Sequence, residues 1–284
     1  MVPLTVGRSR EQRVSARDAM EFINEQDEAT LQRFVERLEF RGRDPTFVAY
    51  RQAYVEKMGL APSAVVLDLG CGTGVVARAL AARPGFSGRV IGIEQSPAFV
   101  EVARRFADEE GVERVEFRVG DVHALDLRDT SVDAVIAHTT ISHVTDPLGV
   151  LKEAARVLRP GGAFAAFDGD YASWTFAYSD HAIAKAMEEA LLAAVVSKPR
   201  VMRDMPRLLR DAGLRLRDVD AHVYADIGRS AFFLGAAESY APVIARSELM
   251  PPEQVEAWLA GLRRASEDGE FFAACNYYAY IATR

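Results

Sequence analysis

The run Val65-Val66-Leu67-Asp68-Leu69-Gly70-Cys71-Gly72-Thr73-Gly74 carries the sharpest chemical signal in the chain. Glycines at alternate positions let backbone come close to a ligand and adopt positive φ without a side-chain clash. Their spacing is G-x-G-x-G, whereas dinucleotide-binding folds show G-x-G-x-x-G. Asp68 stands just before the first glycine. A carboxylate there would repel a pyrophosphate, yet it suits a ligand that bears an ammonium and a sulfonium.

Groups able to shape an acceptor or move a proton come later. His138 and His143 are candidate general bases, a role worth ~10²–10⁴-fold in rate. His143, in Ile141-Ser142-His143-Val144, reads first as a packed residue bonded to backbone and only second as a base. His138 divides between a substrate contact and a structural donor. His123 reads as a surface residue, and His181 and His222 have no motif around them. The stretch Asp168-Gly169-Asp170-Tyr171-Ala172-Ser173-Trp174 gathers two carboxylates, a phenol and an indole. Tyr171 and Trp174 are therefore candidate acceptor contacts, against the alternative of a polar loop with one buried aromatic. Phe232, Phe233 and Tyr240 form an apolar stripe that either lines an acceptor cavity or builds the core of a small cap. Only Cys71 and Cys275 are present, too few for a four-ligand zinc site or a disulfide framework, so no metal is expected.

These residues need elements to hold them. Leu31, Phe34, Val35 and Leu38 recur at helical spacing, and a further helix carries Phe47, Tyr50, Tyr54 and Met58, so Val14 to Leu60 reads as helical. From Ala64 the pattern changes to short apolar runs alternating with helices. The strands expected are Ala64–Leu69, Arg89–Ile93, Val115–Val119, Val132–Ala137 and Ala163–Phe167. Asp44-Pro45, Ser96-Pro97 and Asp146-Pro147 each read as a cap followed by a first-turn proline. Strands alternating with helices predict a parallel sheet covered on both faces. Beyond Asp168 come helices His181–Val195 and Met205–Ala212, then a sixth strand, Leu214–Ala225. Two apolar helices, around Phe232–Ala245 and Glu253–Ala265, precede a last strand, Asn276–Thr283. The expected fold is α/β, a doubly wound, mostly parallel sheet of seven strands. Its division is a helical lid over 1–60, a core over 61–226 and 273–284, and a helical cap inserted at 227–272 between strands six and seven.

Composition sets the outer limits. With 284 residues, 49% hydrophobic and 26% charged, the chain is an ordinary globular protein. No apolar run approaches the ~20 residues of a membrane helix, and residues 1–10 lack a signal-peptide stretch. Two cysteines suit a reducing cytoplasm. A net charge of −7 argues against a nucleic-acid partner, because such enzymes carry a basic face. The oligomeric state stays open, with a homodimer among the states allowed.

Residues Val65–Gly74 resemble the first motif of class I S-adenosylmethionine-dependent methyltransferases, and the likeness extends from about Ala61 to Phe167. Glu94, ending the second strand, matches the acid that in this family accepts both ribose hydroxyls, with Gln95 beside it. Gly120-Asp121-Val122 resembles the adenine site, where the aspartate faces the amino group and the next N–H meets a ring nitrogen. Arg156-Val157-Leu158-Arg159-Pro160-Gly161-Gly162 resembles the turn before the family's fifth strand. The resemblance implies S-adenosyl-L-methionine as cofactor, held by Asp68, Gly70, Cys71, Gly72, Gly74, Glu94, Gln95, Asp121, Val122, Ala137 and His138. It places His138 beside the transferring methyl; apart from the resemblance, position in the front helices alone suggests Tyr50 and Arg43 over the cofactor carboxylate.

Missing motifs narrow the acceptor. Ala137-His138-Thr139-Thr140 stands where adenine-methylating DNA enzymes carry Asp/Asn-Pro-Pro-aromatic, and the paired-glutamate loop of arginine methyltransferases is missing. The reading is methyl transfer to a small molecule, as in enzymes of quinone and secondary metabolism, with no membrane partner. Rival readings are a nicotinamide-dependent oxidoreductase, a cofactor-binding protein that no longer methylates, and an RNA or protein methyltransferase.

Overall fold

Short runs rich in Val, Ile and Leu, apolar on both faces, form strands covered from both sides. In the computed structural model, which describes residues 18–246 and 249–284, the strands are β1 (Val65–Leu69), β2 (Arg89–Glu94), β3 (Val115–Val119), β4 (Val132–His138), β5 (Leu158–Phe176), β6 (Arg215–Gly228) and β7 (Phe271–Thr283). Of these β1, β2 and β4 are such runs, while β3 and β6 are partly exposed edges. The sheet order is β3-β2-β1-β4-β5-β7-β6. β1 to β5 pair in parallel, and β7 runs antiparallel to both β5 and β6. Strand order reverses between β1 and β4, which opens a crevice at their carboxyl ends.

Helices α1 (Glu28–Arg43), α2 (Pro45–Met58), α3 (Val75–Ala81), α4 (Pro97–Glu109), α6 (His181–Val195), α8 (Phe233–Arg246) and α9 (Pro252–Asp268) contribute to the apolar layer on one face. α5 (Pro147–Val157) and α7 (Val201–Asp211) cover the other. The three Asp/Ser-Pro pairs start α2, α4 and α5, with Asp44, Ser96 and Asp146 accepting from first-turn N–H groups. No helix among the described residues is long and apolar enough to cross a membrane.

Asp44 does more than cap. One carboxylate oxygen accepts from the N–H groups of Thr46 and Phe47 and the other from the Tyr224 hydroxyl at 2.9 Å. It thereby ties α2 to β6 beneath the buried Phe47 ring, which touches Phe167, Tyr224, Phe232 and Tyr277. Asp44→Ala is expected to cost about 1 kcal/mol, seen as a fall in melting temperature of about 2–4 °C.

The structure departs from the sequence reading in several places, among them α7, which begins at Val201 instead of Met205, and β6, which runs to Gly228 instead of Ala225. Val14 lies outside the described residues, and Asp18 to Gln26 form turns and one 3₁₀ turn, Ile23–Glu25, instead of helix. β5 continues past Phe167 to Phe176, with an irregularity between Asp170 and Thr175. Asp168 tolerates this burial because the N–H groups of Ser142 and Gly169 hold its two oxygens, while Arg203 pairs with Asp170. β7 correspondingly begins at Phe271, where it pairs with the end of β6.

Candidate functional site

A cavity of about 670 Å³ opens at the carboxyl ends of β1, β2 and β4, within the ~300–1,000 Å³ range of ligand pockets. The glycine turn forms its floor. Gly70 and Gly72 take φ of +61° and +53°. A Cβ on Gly70 would lie 2.5 Å from Thr140 Cγ2, so the turn admits no side chain there. Thr140 is itself fixed by donating to the Leu69 carbonyl at 2.8 Å. Cys71 lines the cavity with its thiol turned toward Gly92 and Phe117, so it offers backbone rather than sulfur. Gly74 does not line it. A Cβ there would meet the Phe117 ring at 2.5 Å, so this glycine serves the packing of α3 and α4 on β3.

Two buried acids face the cavity from adjacent strand ends. Asp68 is 2% exposed, and its Oδ2 has no partner among the described residues. Burial, reinforced by the charge of Glu94, pushes its pKa up to about 7. A cation beside it would restore the ionised form. Glu94 accepts from Gly72 N–H and Ser96 N–H, each at 3.0 Å. Burial raises its pKa, and those backbone bonds hold the rise in check. A carboxylate has about four acceptor sites, so each oxygen can still take a ligand hydroxyl.

Asp121 also lines the cavity, but its side chain is 64% exposed. Its Oδ1 accepts from the His123 N–H at 2.8 Å and meets the ring Nδ1 at the same distance. Partial burial works against ionisation there, and the His123 bonds outweigh it and lower the pKa. Gln95 and Val122 line the cavity as well. Ala137 does not: it is fully buried between the sheet's layers.

The roof is a strap and a helix. Met20, Glu21, Phe22 and Ile23 line the cavity from above. The Gln95 amide donates to the carbonyls of Met20 and Glu21, each at 3.1 Å, which pins one side of the strap to β2. Asp18 pins the other, accepting from Ser197 N–H at 2.8 Å and meeting His143 Nδ1 at 2.8 Å. α1 is anchored by buried Glu39, which accepts from Thr73 Oγ1 and the Arg78 guanidinium at 2.7 and 2.6 Å. The helix therefore rides on the turn it covers.

Helical phase corrects the position expected for a cationic clamp. Phe34, Arg37, Leu38 and Arg41 share the face that lines the cavity. Arg43 points outward, 75% exposed, toward Glu39. Tyr50 stacks on His222, 3.9 Å between ring centroids, away from the cavity.

The two histidines lie in opposite electrical settings. His138 Nδ1 bonds the Tyr54 hydroxyl at 3.0 Å and its ring stacks on Phe167. Burial, with Arg41 and Arg51 nearby, drives its pKa well down, so it is neutral. Burial also depresses His143, but the Asp18 carboxylate and Asp168 outweigh it and raise the pKa. Both rings line the cavity.

Of the expected acceptor contacts, Tyr171 and Tyr240 line the cavity and Trp174, Phe232 and Phe233 do not. Trp174 packs against Tyr171, Phe176 and Phe233. Phe232 and Phe233 sit at the start of α8, where Asp226 accepts both their N–H groups at 2.8 Å. The cap's aromatic stripe is mainly core. Asp18, Arg37, Arg41 and Thr139 line or brace the site without any local motif to announce them. Among the described residues, no group of three or more His, Cys, Asp or Glu side chains is placed to hold a metal ion.

Residues 60–191 match the family model described as a methyltransferase domain. A 37.1 kDa uncharacterized protein in a transposon of Streptomyces fradiae is 34% identical over 82% of this chain and 66% of its own length. The demethylmenaquinone methyltransferase of Lactococcus lactis is 37% identical over 40% of this chain and 45% of its own. The chain thus spans less than two thirds of these relatives' length. A geranyl diphosphate methyltransferase, solved with GPP and sinefungin, superposes with TM-score 0.53 at 21% identity, covering 84% of this chain and 78% of that one. Likeness at that identity speaks for the fold.

Proposed function

We propose that this chain, which belongs to the class I S-adenosylmethionine-dependent methyltransferases, transfers the cofactor's methyl group to a small-molecule acceptor. The observation that carries the reading is the pair of buried carboxylates at the ends of β1 and β2, both lining a glycine-floored cavity and one with an orphaned buried oxygen. An ammonium fits Asp68 Oδ2, and a ribose fits Glu94. The bound cofactor supplies a methyl already activated by its sulfonium.

The chain's own part is to bind, align and deprotonate. Glu94 holds the sugar, Asp121 and the Val122 N–H the base, and the Gly70–Gly72 backbone the amino-acid tail. Gln95 locks the strap over the nucleoside. Holding nucleophile, methyl and sulfur in line can contribute ~7–11 kcal/mol. His143, oriented by Asp18, takes the acceptor's proton; His138 stays neutral and, braced by Tyr54, walls the methyl end. Residues 61–226 and 273–284 belong to the cofactor core, Ile227, Gly228, Phe271 and Phe272 extend its last two strands beyond the expected boundary, and the described residues between Gly228 and Phe271 form the cap. Of residues 1–60, the described strap and α1 roof the cavity while α2 packs on the sheet. A cytoplasmic setting and the lack of a nucleic-acid or membrane partner belong to the same reading, supported by two free cysteines and the net charge of −7.

A thermal-shift series tests it. S-adenosylhomocysteine at 100 times its Kd should add ~2.7 kcal/mol of stability, a readily measured rise in melting temperature, and NADH should add none. The reverse pattern would overturn the proposal.

A further inference from the structure

We propose that the acceptor carries a carboxylate, and that Arg37 binds it. The inference rests on the methyltransferase reading and names the substrate class for the same cavity.

The charged groups around the cavity are distributed as follows: Asp68, Glu94 and Asp121 stand at the strand ends, Glu21 sits on the strap and accepts from the Ser197 hydroxyl, and Arg37 and Arg41 project from α1 one turn apart. Arg41 donates to Thr139 Oγ1 at 2.7 Å, just past His138 at the end of β4. Arg37 lies toward the cap, its guanidinium carbon 5.1 Å from the Tyr240 ring centroid and 5.2 Å from that of Phe232. Neither arginine has a carboxylate partner among the described residues. Their neighbours on α1 are engaged: Arg33 bonds Thr30 Oγ1 and Arg43 pairs with Glu39.

A partly buried guanidinium facing a cavity without a counter-charge carries an uncompensated desolvation cost. A ligand anion removes it. The cofactor brings one carboxylate at its amino-acid end. That end lies along the Gly70 turn and the residues after β4, where Arg41 is fixed. Arg37 is left over, on the acceptor side, against Tyr240. Aromatic faces hold a guanidinium by cation–π attraction and leave its N–H edge free. That edge matches a carboxylate with two parallel bonds. One remaining cation among the described residues balances a monoanion better than a phosphate dianion. Phe34, Tyr171 and Tyr240 supply the walls for an apolar or aromatic body, so the acceptor is an amphiphile with one acidic end.

Ligand-observed NMR on the full chain saturated with S-adenosylhomocysteine tests the assignment. The probes are matched aromatic carboxylic acids and their primary amides, for example 4-hydroxybenzoate with 4-hydroxybenzamide. Carboxylates should bind at least tenfold more tightly than their amides. Arg37→Gln should abolish that preference and Arg37→Lys should retain part of it, with S-adenosylhomocysteine affinity unchanged in both. No preference for the carboxylate member of any pair, including no binding of either, overturns the inference, as does a preference that survives Arg37→Gln. Failure of S-adenosylhomocysteine to bind the unaltered protein is a different result and removes the methyltransferase reading itself.

Discussion

Glu94→Ala is expected to weaken S-adenosylhomocysteine binding at least tenfold, measured by calorimetry. Tenfold corresponds to about 1.4 kcal/mol, and hydrogen bonds to charged groups contribute ~1.5–3 kcal/mol each. The substitution acts twice. It removes the acceptor for the ribose, and it releases the N–H groups of Gly72 and Ser96 that the carboxylate now holds at 3.0 Å. Glu94→Gln separates size from charge. The amide fills the same volume and its oxygen can still accept from one of the two N–H groups, but its NH2 then faces the other, donor against donor. The glutamine variant should therefore bind more weakly than the native protein and less weakly than the alanine variant. An unchanged dissociation constant in the alanine variant would remove Glu94 from the site.

That Glu94 stands at a strand end was legible from local signals, while its assignment to a ribose came from the family resemblance. An apolar run ends, the residue is acidic, and a Ser-Pro helix start follows at once. The same applies to Asp68, where strand, acid and glycines are contiguous. A parallel sheet makes such places readable, since ligands bind beyond the carboxyl ends of its strands. The antiparallel half was less so. Asp168, Gly169 and Asp170 interrupt the apolar run and read as a loop. Only the cross-strand pairing with β7 and the bonds from Ser142, Gly169 and Arg203 let those residues stay in β5.

The roof was mostly hidden, for a physical reason. Arg41 meets Thr139 across 98 positions and Asp18 meets His143 across 125, and no periodicity reports contacts of that range. Periodicity alone also could not tell Phe232 and Phe233 from cavity lining. Both are at most 1% exposed, and only their neighbours reveal that they close the cap onto Phe47 and Tyr224. Helical phase, by contrast, was available. Counting from Phe34 and Leu38 puts Arg41 on the buried side and Arg43 away from it, a signal that the residue type alone obscured.

His143→Ala is expected to lower kcat by about 10²–10⁴-fold with S-adenosylhomocysteine affinity kept, provided the acceptor arrives protonated. The sharper test is Asp18→Asn. In the native protein, burial lowers the pKa of His143, and the carboxylate bonded at 2.8 Å more than reverses that. A base whose pKa is raised loses activity as pH falls through a value above the ordinary ~6.5 of histidine. The kcat/KM profile should therefore show an acid limb above that value. Asparagine can still accept from Nδ1–H, so the ring keeps its orientation, but the charge is gone and burial then dominates. The limb should move to lower pH, and the plateau rate should fall because the base is weaker. A purely structural bond would lower activity evenly across pH. An acid limb that stays in place in Asp18→Asn would take His143 out of proton transfer and leave the pair as a latch for the strap.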